Sequence, residues 1–249
     1  MIDFHSHVLP KIDDGAKDVE TSLKMLEESK RQGVTTLLCT PHYYGKRRSP
    51  ERFLEKRKES YTLIADKIPN GLAVRFGAEV YFTQDMVTAY DDLALLCIEG
   101  TRYIMVELPF TPQWSAKLLE KLETFICETG CTPLIAHIER YPAVLKKPSL
   151  AKKLMEKGCL LQVNAEAFEC KATKSFAYAL LKKGMVHAVG SDMHNLEDRA
   201  PNLRILSEIL STLPKEVGET LWATESAILD NLPIEAKAKS VHKFFGKYF

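Results

Sequence analysis

Alternate residues of a β-strand point to one face, so Phe4-His5-Ser6-His7 aims two imidazoles at one place. A neutral imidazole is a good donor for Zn, Mn or Fe ions. Alone, such a pair is a weak signal. Here it closes the first run of strand character and leads into a polar loop, Lys11-Ile12-Asp13-Asp14-Gly15. The same kind of residue recurs down the chain. Thr40-Pro41-His42, Ala78-Glu79, Val106-Glu107, Ala136-His137 and Ser191-Asp192-Met193-His194 each end or follow a run of β-favouring residues. The candidate ligands are therefore His5, His7, His42, Glu79, Glu107, His137, Asp192 and His194. Five of the seven histidines fall in this set. His187 lies inside a strand and reads as packed or surface-bound, and His242 lies in the C-terminal tail. Singly, each candidate has a plain structural reading: a strand-terminal carboxylate for Glu79 or Glu107, a cap after Pro41 for His42. Together, eight nitrogen and oxygen donors exceed what one tetrahedral site needs, which points to two or three divalent ions.

Two arginines accompany the set. Arg140 follows His137 closely, and Arg199 follows His194 by five residues. A guanidinium offers a planar fork that matches phosphate oxygens, so arginines beside a metal cluster imply a phosphorylated substrate; alone, each would be a surface ion pair. Asp14 reads equally as a turn carboxylate and as an acid leaning over the site, and the spacing of an EF-hand loop is missing around it. A cysteine nucleophile is disfavoured. A phosphocysteine loop needs an Arg six residues after the Cys, and Cys39, Cys97, Cys127, Cys131, Cys159 and Cys170 are followed at that offset by Gly45, Tyr103, Pro133, His137, Ala165 and Phe176. The six lack CxxC pairing and read as core thiols of a reducing compartment.

These residues need elements to carry them. Strand character falls at 2–5, 35–40, 73–79, 103–107, 132–137, 160–164 and 186–190, and helical periodicity at 19–32, 51–67, 116–129, 149–157, 175–183 and 203–210. Gly33, Gly130, Gly158 and Gly184 follow helices and precede strands almost at once, as C-capping glycines do. That rhythm is βα alternation. Seven strands fit an open doubly wound sheet or a closed barrel. The barrel is preferred, because six strands deliver a candidate ligand at the same end and barrel active sites are built at the C-terminal rim. No linker or composition shift divides the 249 residues, so a single domain 1–249 is expected, with 241–249 a short basic-aromatic tail that packs on its own domain or frays. The net charge of +1 argues against a nucleic-acid partner. No signal peptide and no apolar run long enough to cross a bilayer stand out, so the expected location is cytoplasmic.

The residues resemble the polymerase and histidinol phosphatase (PHP) domain, and more narrowly the bacterial tyrosine-protein phosphatases of the capsular or exopolysaccharide type. The resemblance spans essentially the whole chain. It is carried by Met1-Ile2-Asp3-Phe4-His5-Ser6-His7 with Asp13-Asp14-Gly15-Ala16, by Arg31-Gln32-Gly33-Val34 leading to Thr40-Pro41-His42, and by Gly77-Ala78-Glu79. Tyr103-Ile104-Met105-Val106-Glu107, Ala136-His137-Ile138-Glu139-Arg140-Tyr141 and Ser191-Asp192-Met193-His194-Asn195 complete it. It implies a distorted (β/α)7 TIM-like barrel with up to three divalent ions, manganese foremost, with iron or zinc as alternatives. It implies hydrolysis of phosphotyrosine on the tyrosine-rich tail of a bacterial tyrosine kinase that controls polysaccharide export. All eight ligand positions match, as do Asp14, Arg140 and Arg199. The expected reaction is direct attack on phosphorus by a metal-bound hydroxide, with Asp14 or a histidine such as His42 supplying the leaving-group proton. Two loops depart from the pattern: Leu108-Pro109-Phe110-Thr111 after Glu107, and the basic segment 43–50 with Lys46, Arg47 and Arg48. Both would shape the substrate entrance. The rival readings are a histidinol-phosphate or other small-phosphate esterase, a nuclease or proofreading module, and a non-catalytic interaction protein stabilised by metals.

Overall fold

Strands and helices alternate as the hydrophobic periodicity dictates. The structure, a computed structural model, describes every residue except Val87 and Phe245. The first half runs β1 (Ile2–Ser6), α1 (Val19–Arg31), β2 (Thr36–Cys39), β3 (His42–Tyr43), α2 (Pro50–Thr62), β4 (Ala73–Phe76), β5 (Glu79–Tyr81), α3 (Tyr90–Ala94) and β6 (Tyr103–Glu107). The second half runs α4 (Ala116–Thr129), β7 (Thr132–Ile135), α5 (Pro142–Lys146), α6 (Ser149–Glu156), β8 (Leu160–Asn164), α7 (Lys174–Lys182), β9 (Ala188–Gly190), α8 (Arg204–Ser211) and α9 (Lys215–Leu229). A hairpin of β10 (Lys243–Phe244) and β11 (Lys247–Tyr248) ends the chain.

Apart from that hairpin, all strand pairs among the described residues are parallel. One sheet has the order β1-β2-β4 and a curled second sheet the order β3-β5-β6-β7-β8-β9. The two share stretches of chain: β2 runs through Thr40-Pro41 into β3, and β4 runs through Gly77-Ala78 into β5. The expected strand 73–79 is therefore two short strands, because its partner changes there. Gly77 N–H still donates to the Cys39 carbonyl (2.9 Å), but Glu79 N–H donates to that of Pro41 (3.1 Å). On the other side, a parallel bridge joins Ser6 to Met193, and Asp192 N–H donates to the His5 carbonyl at 2.8 Å. Those contacts bring the end of β9 beside β1.

The alternation of side chains builds the core. On β6, Tyr103 and Met105 join a small cluster with Phe4, Leu38, Leu134, Leu160 and Ala188, drawn from most of the strands. Ile104 and Val106 point the other way, into the larger cluster that includes helix residues such as Leu118, Leu122 and Phe125 of α4. Each fully buried Leu or Phe contributes roughly 1.5–3 kcal/mol. The side of β6 that carries Tyr103 and Met105 ends in Glu107, so the small cluster underlies the site. Helices are capped as their sequences suggest: Asp18 accepts from Thr21 N–H at 2.8 Å at the start of α1, and Gly130 ends α4 in the left-handed conformation. The expected helix 51–67 stops at Thr62, with a separate single turn over Ala65–Lys67. α3, α5 and α9 were not anticipated. The first two are one-turn helices, and α9 opens right after Pro214, where the apolar spacing is weak. Among the described residues no helix is long and apolar enough to cross a membrane. In the tail, Tyr248 packs on Phe176 (4.9 Å between rings) and donates to the Leu145 carbonyl at 3.0 Å. Phe245 lies outside the described residues.

Candidate metal centre

The eight candidates converge. His5, His7, Glu79, His137, Asp192 and His194 are buried almost completely, Glu107 is 8% exposed, and only His42 is part-exposed. Two glycines allow the crowding. A Cβ on Gly15 would lie 2.1 Å from the His7 carbonyl oxygen, and one on Gly190 would lie 2.4 Å from the His5 Cβ. No other residue fits either place without moving a central histidine. His137 (φ 32°) and Asp192 (φ 54°) both sit in the left-handed region that L-residues avoid. Such strain costs on the order of 1–3 kcal/mol each and clusters at functional sites.

At the centre, His5 Nε2 and His7 Nε2 are 3.1 Å apart, and each is 3.2 Å from Glu79 Oε2 and 3.5 Å from Asp192 Oδ1. Donors about 2.1 Å from one cation stand roughly 3.0 Å apart along an octahedral edge and roughly 3.4 Å along a tetrahedral one. The observed spacings are those of atoms ready to share one ion. Glu79 then reaches outward: its Oε2 lies 3.0 Å from His42 Nδ1, and its Oε1 2.8 Å from His137 Nε2, which is 3.6 Å from Glu107 Oε1. Nearer the surface, Asp14 Oδ1 lies 3.5 Å from His42 Nε2 and 3.6 Å from His194 Nε2. Four overlapping groups are close enough to hold a cation: His5, Glu79 and His137; His5, His7 and Asp192; His42, Glu79 and Glu107; and His7, Asp14, His42 and His194.

Whether these groups fit a metal is tested by their hydrogen bonds. Glu79 Oε2, Asp192 Oδ1, His42 Nδ1, His137 Nδ1 and His194 Nε2 are buried and, among the described residues, have no hydrogen-bond partner. Orphaned buried polar atoms are rare in folded proteins and expensive. Most of these face one another across the donor spacings just given. Nitrogen and carboxylate donors in this ratio suit Mn, Fe or Zn, and the set fits.

A supporting layer fixes the orientation of the donors. Asp13 Oδ2 accepts from His7 Nδ1 at 2.8 Å and from His42 N–H at 2.9 Å, while its Oδ1 accepts from Gly15 N–H at 3.0 Å. Gln162 Oε1 lies 3.3 Å from His5 Nδ1 and accepts from His137 N–H at 2.7 Å. Asn164 Nδ2 donates to Asp192 Oδ2 at 2.9 Å. Asp3 accepts from the backbone N–H and the hydroxyl of Ser191 at 2.8 and 2.7 Å, tying β1 to the turn that holds Asp192. None of these four roles was anticipated. The strand 160–164 looked like the one without a ligand, yet Gln162 and Asn164 are polar residues at alternate positions of an otherwise apolar strand. That signal was available.

Electrostatics follow from the crowding. Burial alone would depress the His7 imidazole, but the Asp13 carboxylate beside it overrides burial and holds its pKa well above the ordinary value. Burial, then the neighbouring His7, pushes His194 down to about 3. Burial, then the nearby Glu79 carboxylate, lifts Glu107 to about 7. Burial also favours protonation of Glu79, yet His5, His137 and His42 around it hold it well below the usual carboxylate range.

The rim carries the other expected residues. Arg140 and Arg199 both donate to Asp192 Oδ2, at 2.8 and 2.7 Å. Arg199 is brought there by a loop closed by His194 N–H on the Arg199 carbonyl (2.8 Å). Each arginine is about one-third exposed, so part of each fork faces solvent above the cluster. Asp14 is 66% exposed. Phe110 lies over His137 with ring centroids 5.5 Å apart, and the Arg140 guanidinium stands 5.3 Å from the Phe110 ring.

A family model described as capsular polysaccharide synthesis, CpsB/CapC, matches residues 1–231. Tyrosine-protein phosphatase CpsB of Streptococcus pneumoniae is 33% identical over 220 residues, covering 85% of this chain and 90% of the relative. Tyrosine-protein phosphatase YwqE of Bacillus subtilis (strain 168) is 33% identical over 239 residues, covering 92% and 91%. One solved structure comes from work on YwqE of Bacillus subtilis and CpsB of Streptococcus pneumoniae, described as unique metal-dependent tyrosine phosphatases. It matches with a TM-score of 0.81 at 28% identity, covering 98% of this chain and all of that one. The buried His, Asp and Glu cluster and these likenesses agree, and the chain belongs to the CpsB/CapC family of capsular polysaccharide synthesis.

Proposed function

We propose that the chain is a metal-dependent protein-tyrosine phosphatase, and that His5, His7, His42, Glu79, Glu107, His137, Asp192 and His194 hold two or three divalent ions. The observation that carries the reading is the gathering of His5 Nε2, His7 Nε2, Glu79 Oε2 and Asp192 Oδ1. Each imidazole nitrogen lies 3.1–3.5 Å from the other three atoms, and among the described residues neither carboxylate oxygen has a hydrogen-bond partner. Overlap between the groups, with His5, His7, His42 and Glu79 each serving in two, supports adjacent ions rather than isolated ones. When bound, such ions supply Lewis-acid stabilisation of a phosphoryl group and an acidified water.

The chain's own residues do the rest. Arg140 and Arg199 anchor one edge of their forks on Asp192, which leaves the remaining N–H groups to take phosphoryl oxygens and steady the charge as it redistributes. Asp14, the exposed carboxylate of the rim, is assigned to proton transfer at the phenolic oxygen. His194, buried with its ring 3.9 Å from that of His7, is one of the proposed ligands and is not the donor. Phenolate is a good leaving group, with a pKa near ~10, so the demand on that acid is modest. The substrate class proposed is phosphotyrosine in a protein, and the partner a bacterial tyrosine kinase of polysaccharide export, in a cytoplasmic setting; the family and the names of the relatives support both. For the scaffold we propose one domain, a distorted (β/α)7 barrel. The shared strands β2–β3 and β4–β5 and the Ser6–Met193 bridge support it. Manganese is the preferred ion, with iron or zinc as alternatives.

The test strips the protein of metal and measures release of phosphate from phosphotyrosine peptides after adding Mn, Fe or Zn separately. Restoration by one of them is expected. Full turnover by metal-free protein would refute the proposal.

A further inference from the structure

Beside the metal cluster lies a cavity of about 230 Å3 whose walls include Tyr44, Lys46, Arg47, Tyr81 and Met86. Its aromatic wall touches the site. The Tyr44 ring is 5.2 Å from that of His42 on one side and 5.7 Å from that of Tyr81 on the other. Tyr81 follows Glu79 by two residues on β5, so both side chains leave the strand on one face. The rim is cationic. The Arg47 guanidinium stands 4.7 Å from the centre of the Tyr44 ring, which fixes its position without neutralising it. Lys46 and Arg47 are exposed, and Arg48 is half-buried beside them. Among the described residues, none of the three forms an ion pair with a carboxylate, whereas Lys24, Arg31, Arg204 and Lys215 each meet a Glu three or four residues away. In a chain of net charge +1, two cations without an ion pair on the cavity wall, followed in sequence by a third, are a local concentration.

We propose that this pocket is a specificity subsite for an acidic side chain one or two residues from the scissile phosphotyrosine, held through its carboxylate by Lys46 and Arg47. The inference rests on the phosphatase reading above. The cavity has room for one side chain, not for a folded partner. Its aromatic and Met86 walls take an aliphatic stem, and its cations take the charged end. A step of one to two residues of extended peptide, at about 3.3–3.6 Å each, matches the closeness of Tyr44 to His42. Glutamate, with the longer stem, fits this division better than aspartate.

The experiment compares kcat/KM on three phosphotyrosine peptides that differ only in the flanking residues: Glu, Ala or Lys. p-Nitrophenyl phosphate serves as a substrate with no flank. The Glu peptide is expected to exceed the Ala peptide by roughly three- to tenfold, from one or two partly screened ion pairs. That advantage should shrink as salt is raised. Arg47→Glu and Lys46→Glu should each abolish or invert the Glu-over-Lys preference, and either variant suffices if the other fails to fold. Equal kcat/KM for all three peptides in a protein that hydrolyses p-nitrophenyl phosphate would overturn the subsite and leave the phosphatase reading standing. Persistence of the preference in both folded variants would overturn the subsite as well. No turnover on any substrate would sink the reading and the subsite together.

Discussion

Asp13→Asn is the most informative single change, because Asp13 touches no proposed substrate atom and yet holds two of the candidate ligands. Its carboxylate accepts three N–H groups: His7 Nδ1 at 2.8 Å, the His42 backbone at 2.9 Å and the Gly15 backbone at 3.0 Å. Burial pushes its pKa up, but the His7 ring and those backbone donors win and hold it below the usual carboxylate range, so it is ionised at neutral pH. The His7 Nδ1–H is thereby fixed, and Nε2 is turned to the point it shares with His5, Glu79 and Asp192. Asparagine keeps the shape but has one oxygen. With that oxygen toward His7 and His42, its NH2 faces the Gly15 N–H; flipped, it faces both of the others. The best case keeps two bonds, now neutral, and sets donor against donor at the third. Partners of this kind are worth about 10–100-fold in metal affinity, or roughly 1.4–2.8 kcal/mol. The assay is a manganese titration against a competing chelator, with phosphatase turnover measured at saturating metal. Weaker binding by that factor is expected, with most of the turnover recovered when the ion is in excess. A folded Asp13→Asn protein with unchanged metal affinity would refute the idea that Asp13 orients His7.

Arg140→Ala and Arg199→Ala should each lower kcat/KM on an aryl phosphate by about a hundredfold or more, and Arg140→Lys should restore little of it, since an ammonium lacks the planar fork; steady-state kinetics decide. EDTA should abolish turnover, whereas alkylation of the thiols should leave it nearly intact. Burial pushes the Cys159 thiol up to about 12, and among the six only Cys127 and Cys170 are exposed. Acid sensitivity should trace partly to His187, whose buried Nδ1 accepts Leu161 N–H at 3.1 Å and whose pKa burial pushes down to about 4 from 6.5. The unfolded chain therefore takes up that proton first as pH falls. Stability from the neutral ring is complete above pH 6.5 and drains away toward pH 4. His187→Asn, which keeps an acceptor, should flatten urea midpoints across that window. Glu225 has the opposite sign: burial lifts it to about 8 from 4.5, so its contribution is complete below pH 4.5 and is lost as pH rises through 8. Glu225→Gln should flatten the urea midpoint between pH 4.5 and 8.

The candidate ligand set was legible because strand ends are the one place where a polar residue regularly interrupts an apolar run, and His, Asp and Glu did so with the same polarity along the chain. All eight meet in the structure, and Asp14, Arg140 and Arg199 stand around them. The supporting layer was harder to read. Asp13 and Asp14 are adjacent and chemically identical, and only the fold shows that the first is buried on His7 while the second is 66% exposed above His42 and His194. Gln162 and Asn164 have no charge to draw notice, and their value lies in a partner 25 or more residues away. The break between β4 and β5 was also hidden. Nothing local in 73–79 announces that its neighbour ends at Cys39 and resumes at His42.

The two central carboxylates are held in opposite ways, and that difference links the proposed metal and phosphate sites. Glu79 gives both oxygens to imidazoles: Oε2 faces His5, His7 and His42, and Oε1 faces His137. It is suited to join adjacent ions. Asp192 is divided. Its Oδ1 faces His5 and His7, while Oδ2 is fully engaged by Asn164, Arg140 and Arg199 at 2.7–2.9 Å. Those donors offset the cost of a buried carboxylate and stop it from rotating. Asp192 also carries a left-handed backbone, φ 54°, of the kind that clusters at functional sites. One side chain therefore fixes the distance between the point His5 and His7 share and the forks proposed to take phosphoryl oxygens. Substitution of Asp192 should disturb metal affinity and phosphate affinity together, whereas substitution of Glu79 should act on the metals first.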